Sequence, residues 1–218
     1  MSDSPGSRVT RLCIVRHGET DWNASHRAQG QVDIPLSAIG HRQAQATARV
    51  LATAGLDVLY SSDLARARET AEATARLAGL PLQLLSGLRE RHFGLFQGLT
   101  ADEAAQRHPE DYARHRSREP AFVPPGGESI QQLATRIVAT CAEIVGRHPG
   151  KSVALFTHGG VLDILHRHVA GQPLHTPRDF PIPNCGISWI SVADERWTLL
   201  RWADHAHLDK PLEVIQDG

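Results

Sequence analysis

The sequence predicts an α/β fold, doubly wound, with a mostly parallel sheet, helices on both faces and a small helical lid insertion. Three observations carry this expectation. Short apolar runs, among them Leu12 to Val15 and Val153 to Phe156, alternate with segments of helical period. Both runs stop abruptly at Arg16-His17-Gly18 and Thr157-His158-Gly159-Gly160, as buried strands do when their carboxyl tips hold reactive polar groups. The 218 residues, 41% hydrophobic and 22% charged, contain no repeat or low-complexity tract and suit one domain with a full core. That domain is expected over 10–218, with the lid at about 99–127 and a disordered lead-in over 1–9.

The elements follow in order. After the first strand, Gly18 to Pro35 reads as a long polar loop. Ser37 then opens a helix with Ala44, Ala48 and Leu51 at helical spacing, ended by Gly55. Val58 to Tyr60 is a second strand. A helix capped by Ser62 or Asp63 runs through Ala78 to Gly79, because Leu-Ala-Arg-Ala-Arg-Glu-Thr-Ala-Glu-Ala is strongly helix-forming. Leu82 to Leu85 is a third short strand, and 86–98 a loop. Thr100-x-x-Glu103 is a capping box for a short helix ending near His108-Pro109, after which Pro, Arg and His without an apolar period read as the lid. Ser129-x-x-Gln132 caps an amphipathic helix bearing Ile130, Leu133, Ile137, Cys141 and Ile144 on one face. The strand Val153 to Phe156, a helix over Val161 to Val169, and strands Ile187 to Val192 and Trp197 to Trp202 around a tight turn complete the chain.

Charge and cysteine usage exclude several function classes. With 23 basic and 24 acidic residues the net charge is -1, so no global field attracts nucleic acid or an anionic membrane, and neither is expected as a partner. No apolar run approaches the ~20 residues of a membrane span, and Met1 to Arg8 lack an apolar signal core. Cys13, Cys141 and Cys185 are odd in number and widely spaced, which argues against a disulfide framework or thiolate metal site and fits a reducing cytoplasm.

The chemistry is expected at the carboxyl edge of the sheet. His17 follows the first strand, Arg66 lies in the first helical turn after the second, Glu90 lies beyond the third, and His158 follows the next. Neutral imidazole is a nucleophile near pH 7, and one set beside fixed cations suits attack on an anionic phosphoryl group. In this reading His17 attacks phosphorus, and Arg16, Arg66, Asn23 and His158 donate hydrogen bonds to the phosphoryl oxygens. Gly159 adds free N–H groups where a helix begins. Glu90 protonates the leaving alkoxide and then activates water.

Arg16-His17-Gly18-Glu19-Thr20, Trp22-Asn23, Arg27, Gln29-Gly30 and Leu36-Ser37-x-x-Gly40-x-x-Gln43-Ala44 resemble the N-terminal signature of the histidine phosphatase superfamily, often called phosphoglycerate mutase-like. The likeness continues in order through Ser61-Ser62-Asp63-Leu64-x-Arg66-Ala67-x-x-Thr70-Ala71, Glu90-Arg91-x-Phe93-Gly94, Pro124-Pro125-Gly126-Gly127-Glu128-Ser129 and Thr157-His158-Gly159-Gly160. It implies the same catalytic roles at His17, Arg16, Arg66, Glu90 and His158. It also places Asn23, Gln29, Gly30 and Gly159 around the phosphate. The resemblance implies no cofactor or metal, takes a small phosphorylated metabolite as partner, and allows a homodimer.

Blander readings compete at each position. Arg66 stands near Glu69 and Glu72 and suits a surface ion pair, a duty better given to Arg68, which misses the motif position. Glu90 stands between Arg89 and Arg91 and suits a salt-bridging loop acid. The 13 histidines invite a metal reading at His166-x-His168 and His205-x-His207, but the first pair points to different faces of one helix. Gly150-Lys151-Ser152 precedes a strand and lacks the earlier glycine of a phosphate-binding loop. Among functions, a cofactor-dependent mutase uses the same phosphohistidine, and a non-catalytic phospho-ligand binder would use the same cradle. The short lid favours hydrolysis, and its Arg114, Arg116 and Arg118 are expected to contact a second anionic group of the substrate.

Overall fold

The structure is a computed structural model that describes residues 9–209. Except for Val9, the lead-in expected over 1–9 lies outside the described residues.

Six strands form one sheet in the order β3-β2-β4-β1-β5-β6, with β1 at Thr10–Arg16, β2 at Val58–Ser61, β3 at Leu82–Leu84, β4 at Ser152–Thr157, β5 at Ile187–Ala193 and β6 at Arg196–Asp204. The pairs β1·β4, β2·β4 and β2·β3 are parallel, whereas β5 runs antiparallel to both neighbours. Helices cover both faces because strand side chains alternate. Leu12 and Ile14 of β1 meet Leu133, Ile137 and Cys141 of α6 (Ile130–Arg147) and Leu162 and Leu165 of α7 (Gly159–Ala170). Cys13 and Val15 face the other way, toward Leu51 of α2 (Ala38–Leu51) and Ala71 of α3 (Ala65–Ala78). Truncating a fully buried residue such as Ile137 to Ala would cost ~2–5 kcal/mol. No helix among the described residues is long and apolar enough to cross a membrane.

Local chemistry explains where the elements begin and end. Ser129 and Gln132 form the expected reciprocal cap of α6, and Thr100 and Glu103 that of α4 (Ala101–Arg107). The two-residue turn between β5 and β6 places Asp194 and Glu195 at φ 48° and 63°, the geometry that matches the twist of a hairpin.

Four expectations are corrected. The stretch 18–35 holds a short helix, α1 (Asp21–Ala24), in a Thr20/Asn23 capping box too brief to show a period. Neither Ser62 nor Asp63 caps α3: Leu64 holds that position, the Ala65 N–H donates to Asp33 at 2.6 Å, and Asp63 is taken by Arg89. α2 ends at Leu51, before Gly55. The segment expected as a lid holds a second helix, α5 (Pro109–Arg116), which lacks an apolar stripe but has Pro at its start, acids in its first turn and bases in its last.

Candidate active site

His17 sits where β1 leaves the sheet, 3% exposed, with its backbone N–H on Thr157 O at 2.9 Å. Its Nδ1 lies 2.7 Å from the Gly18 carbonyl oxygen. A carbonyl can only accept, so Nδ1 carries the hydrogen and Nε2 keeps its lone pair. Burial, then the positive charges of Arg66 and Arg16, hold the His17 pKa well below its ordinary value, against a smaller opposing pull from the Gly18 carbonyl. The ring is thus a neutral base with a fixed tautomer.

The cations around it are fixed by backbone carbonyls rather than by carboxylates. Arg66 is 1% exposed and donates to Gly30 O at 2.7 Å and Val32 O at 3.0 Å, leaving Nε buried without a partner among the described residues. The surface ion pair goes instead to Arg68, which meets Glu72 at 3.6 Å. Arg16 donates to Ile182 O, and its Nε is likewise unpartnered. The His158 ring lies 5.3 Å from that of His17, with Nε2 2.8 Å from Ser62 Oγ and Nδ1 free. Burial and the charges of Arg66, His17, Arg16 and Arg136 lower its pKa well below the ordinary value. Unpartnered buried N–H groups of this kind are costly unless a ligand takes them up.

Glu90 comes to the same place and makes no ion pair among the described residues. Its Oε1 accepts from the Arg91 N–H at 2.7 Å and its Oε2 from the Gly160 N–H at 2.8 Å, while Arg89 pairs with Asp63 and Arg91 donates to Glu128 O. The first turn of α7, expected to present free N–H groups to an anion, therefore spends its Gly160 N–H on Glu90. A side chain at position 160 would displace the Glu90 carboxylate, since a Cβ there would stand 2.1 Å from Oε1. Gly159 lies beside Arg16, where a Cβ would be 3.7 Å from Nε.

The remaining sequence candidates divide. Asn23 Oδ1 accepts from the Thr20 N–H and hydroxyl, both at 3.1 Å, and lies 3.4 Å from Asn184 Nδ2, which fixes the amide so that its NH2 group faces away from them. Gly30 enters through its carbonyl, which orients Arg66. Gln29 is buried with Oε1 unpartnered. Of the lid arginines, Arg114 pairs with Glu119 at 2.8 Å and covers the Phe122 ring at 4.4 Å, and Arg116 is exposed. Helical phase is the reason: successive residues of α5 point about 100° apart, and His115, between these two arginines, lines the cleft instead. Arg118 also lines it, but donates to Asp163 at 2.6 Å.

Sequence reasoning missed several supports. Asn184 donates to His17 O at 2.9 Å from the turn-rich segment Pro181 to Gly186, whose Pro-x-Pro-Asn pattern was the available signal. Thr70 accepts from the Gly18 N–H at 3.0 Å. Arg136 holds the Glu90 loop through Gly87 O, Arg89 O and Glu128. Nothing in the pattern around Arg136 marked it.

Two lobes open from the cluster and share Arg16, Phe93 and His115: a larger one of about 550 Å³ and a smaller one of about 300 Å³ that adds Arg91, Arg118 and Arg178. Among the described residues, no three His, Cys, Asp or Glu side chains are grouped to hold a metal ion. His166 stacks on Phe180, His168 meets Trp197, and His207 bonds Thr47, which separates the histidine pairs into packing roles.

The chain is 38% identical to a metal-independent phosphoserine phosphatase of Arabidopsis thaliana, over 93% of this chain and 84% of that one. It is 35% identical to a probable phosphoglycerate mutase of Salmonella newport, over 95% and 100%. A mycobacterial glucosyl-3-phosphoglycerate phosphatase solved with VO3 superposes with a TM-score of 0.78 at 36% identity, covering 88% of this chain and 98% of that one. The model of the histidine phosphatase superfamily, branch 1, matches residues 12–205, and the chain belongs to that family.

Proposed function

We propose that this chain is a phosphatase that hydrolyses small phosphomonoesters without a metal, through a phosphohistidine on His17. The observation that carries the reading is the hydrogen bond from His17 Nδ1 to Gly18 O, which leaves Nε2 as the lone-pair donor among buried, partly unpartnered cations.

The Nε2 lone pair forms the N–P bond as the P–O bond to the alcohol breaks, and the Glu90 carboxyl delivers its proton to the departing alkoxide. Arg16, Arg66, His158 and Asn23 hold the three phosphoryl oxygens, supplying the positive charge that a cation supplies elsewhere. Water then attacks phosphorus, its proton goes to Glu90, the N–P bond breaks, and inorganic phosphate leaves. The smaller lobe suits a second anionic group on the substrate, because Arg91 makes no ion pair among the described residues and Arg118 and Arg178 lie beside it. This replaces Arg114 and Arg116 with Arg91 and Arg178.

A mutase is the rival, since a relative carries that name. The short α4–α5 lid supports hydrolysis. A non-catalytic phosphate binder would have no use for a carboxyl held among the cations as Glu90 is. The test is release of phosphate from a panel of phosphomonoesters in excess chelator, with 3-phosphoglycerate plus bisphosphoglycerate in a parallel arm. Isomer formation outrunning phosphate release, or activity that needs added metal, would refute the proposal.

A further inference from the structure

We infer that the larger lobe receives the alcohol half of the substrate and selects esters whose leaving group carries a ring with an apolar face. This rests on the phosphatase reading, which places the phosphoryl group at His17.

The lobe of about 550 Å³ has walls of Trp22, Phe93, Phe96, Leu99, Tyr112 and His115. Pockets of ~300–1,000 Å³ enclose drug-sized ligands, and a three-carbon ester would leave most of this one empty. The walls are held in place by one another. Phe96 meets Tyr112 at 5.9 Å and His115 at 5.1 Å, Tyr112 stacks on His115 at 6.0 Å, and Phe96 is backed by buried Ala104 and Phe122.

The charges at the rim are already spent. Arg27 donates to Gly98 O at 2.6 Å and to Glu103 at 2.7 Å. His115 is kept neutral by burial and by the charges of Arg91, Arg118 and Arg116, its pKa pushed down to about 4. Apart from Arg16 at its floor, the lobe therefore presents aromatic faces and polar tips rather than net charge. Trp22 Nε1 and Tyr112 Oη make no hydrogen bond among the described residues, which leaves them for ring hydroxyls or heteroatoms.

Continuity with the phosphoryl cradle fixes the direction. Arg16 and Asn23 line the lobe, and α1 carries Trp22 and Asn23 side by side, so an ester seated at His17 extends its alcohol along the aromatic wall.

The experiment compares ligands that differ only in the ring. Propylphosphonate and 3-phenylpropylphosphonate cannot be hydrolysed, and their dissociation constants are measured by calorimetry in the full chain, in Tyr112→Ala and in Tyr112→Phe. Burial of the phenyl group should tighten binding at least about tenfold. That gap should shrink in Tyr112→Ala and persist in Tyr112→Phe. Trp22→Leu repeats the first test should Tyr112→Ala not fold. Equal affinities in the unaltered chain, or a gap undiminished by either truncation, would overturn the assignment. Hydrolysis of ethyl and 2-phenylethyl phosphate runs alongside: a binding gap with no turnover of either ester supports the lobe and sinks the phosphatase reading alone.

Discussion

The Gly160 N–H donates to Glu90 Oε2 at 2.8 Å, so the amino end of α7 orients the carboxyl that is proposed to transfer the proton. A side chain at position 160 would push that carboxylate out of place, because a Cβ would meet Oε1 at 2.1 Å. Gly160→Ala should therefore slow alkyl phosphates strongly and aryl phosphates far less, because a phenolate leaves without protonation. Glu90→Gln should show the same split. Gly159→Ala, with ordinary clearance from Arg16, should be milder. Equal losses on both ester classes in Gly160→Ala would remove Glu90 from the proton-transfer role.

Arg66 has no substitute in the cradle. Each of its Nη atoms donates one hydrogen, to Gly30 O and to Val32 O, which aims the guanidinium as a lysine could not be aimed. Arg66→Ala and Arg66→Lys should each lower turnover on the order of 10²-fold to 10³-fold, with no recovery in zinc or magnesium. Arg68→Ala, which removes only an exposed pair with Glu72, should change activity little and stability by ~0–0.5 kcal/mol. Steady-state rates with and without chelator check both.

Buried neutral histidines make the fold sensitive to acid. His17, His158 and His115 all have folded pKa values below that of the unfolded chain, so only the unfolded state takes up their protons just below pH ~6.5. Stability should be full above that pH and fall as pH drops toward the folded values, by ~1.4 kcal/mol per pH unit for each such histidine. Urea unfolding at pH 7 and 5.5 measures this, and His115→Phe should flatten the slope. The acidic limb of kcat/KM set by His17 should likewise lie below the ordinary imidazole range. A limb near pH 6.5 would contradict the environment described for His17.

The lid arginines should behave differently from one another. Arg114→Ala loses an exposed pair with Glu119 and a contact with Phe122, and should leave KM near its starting value. Arg118→Ala and Arg178→Ala open the basic lobe and should raise KM for esters with a carboxylate more than for neutral ones. A uniform shift on both kinds of ester would dissociate that lobe from anion recognition.

What was legible in the sequence is what strand tips and caps encode. His17 and His158 follow apolar runs, and the Ser129 and Thr100 boxes name their own helices. Glu90 was placed at the sheet edge by its position after the third strand, but only the Glu-Arg-x-Phe-Gly resemblance favoured it over a salt-bridging loop acid, because its flanking arginines suggested an ion pair that the structure gives, at Arg89, to Asp63. The lid was misread because composition counts charges while helical phase decides their direction, turning Arg114 and Arg116 outward and His115 in. Arg136, Asn184 and Thr70 act across 46 to 167 positions of chain on backbone atoms of the site, and no local pattern reports such partners.

The central claim is that His17 Nε2 takes the phosphoryl group. Rapid quench of the enzyme with labelled phosphomonoester into alkali, followed by mapping of the labelled peptide, tests it most directly. The account predicts a base-stable, acid-labile phosphoryl group on His17 that reaches its steady level within the first turnover and is absent from His17→Ala. A label that survives in His17→Ala, or that maps to another residue, would contradict it.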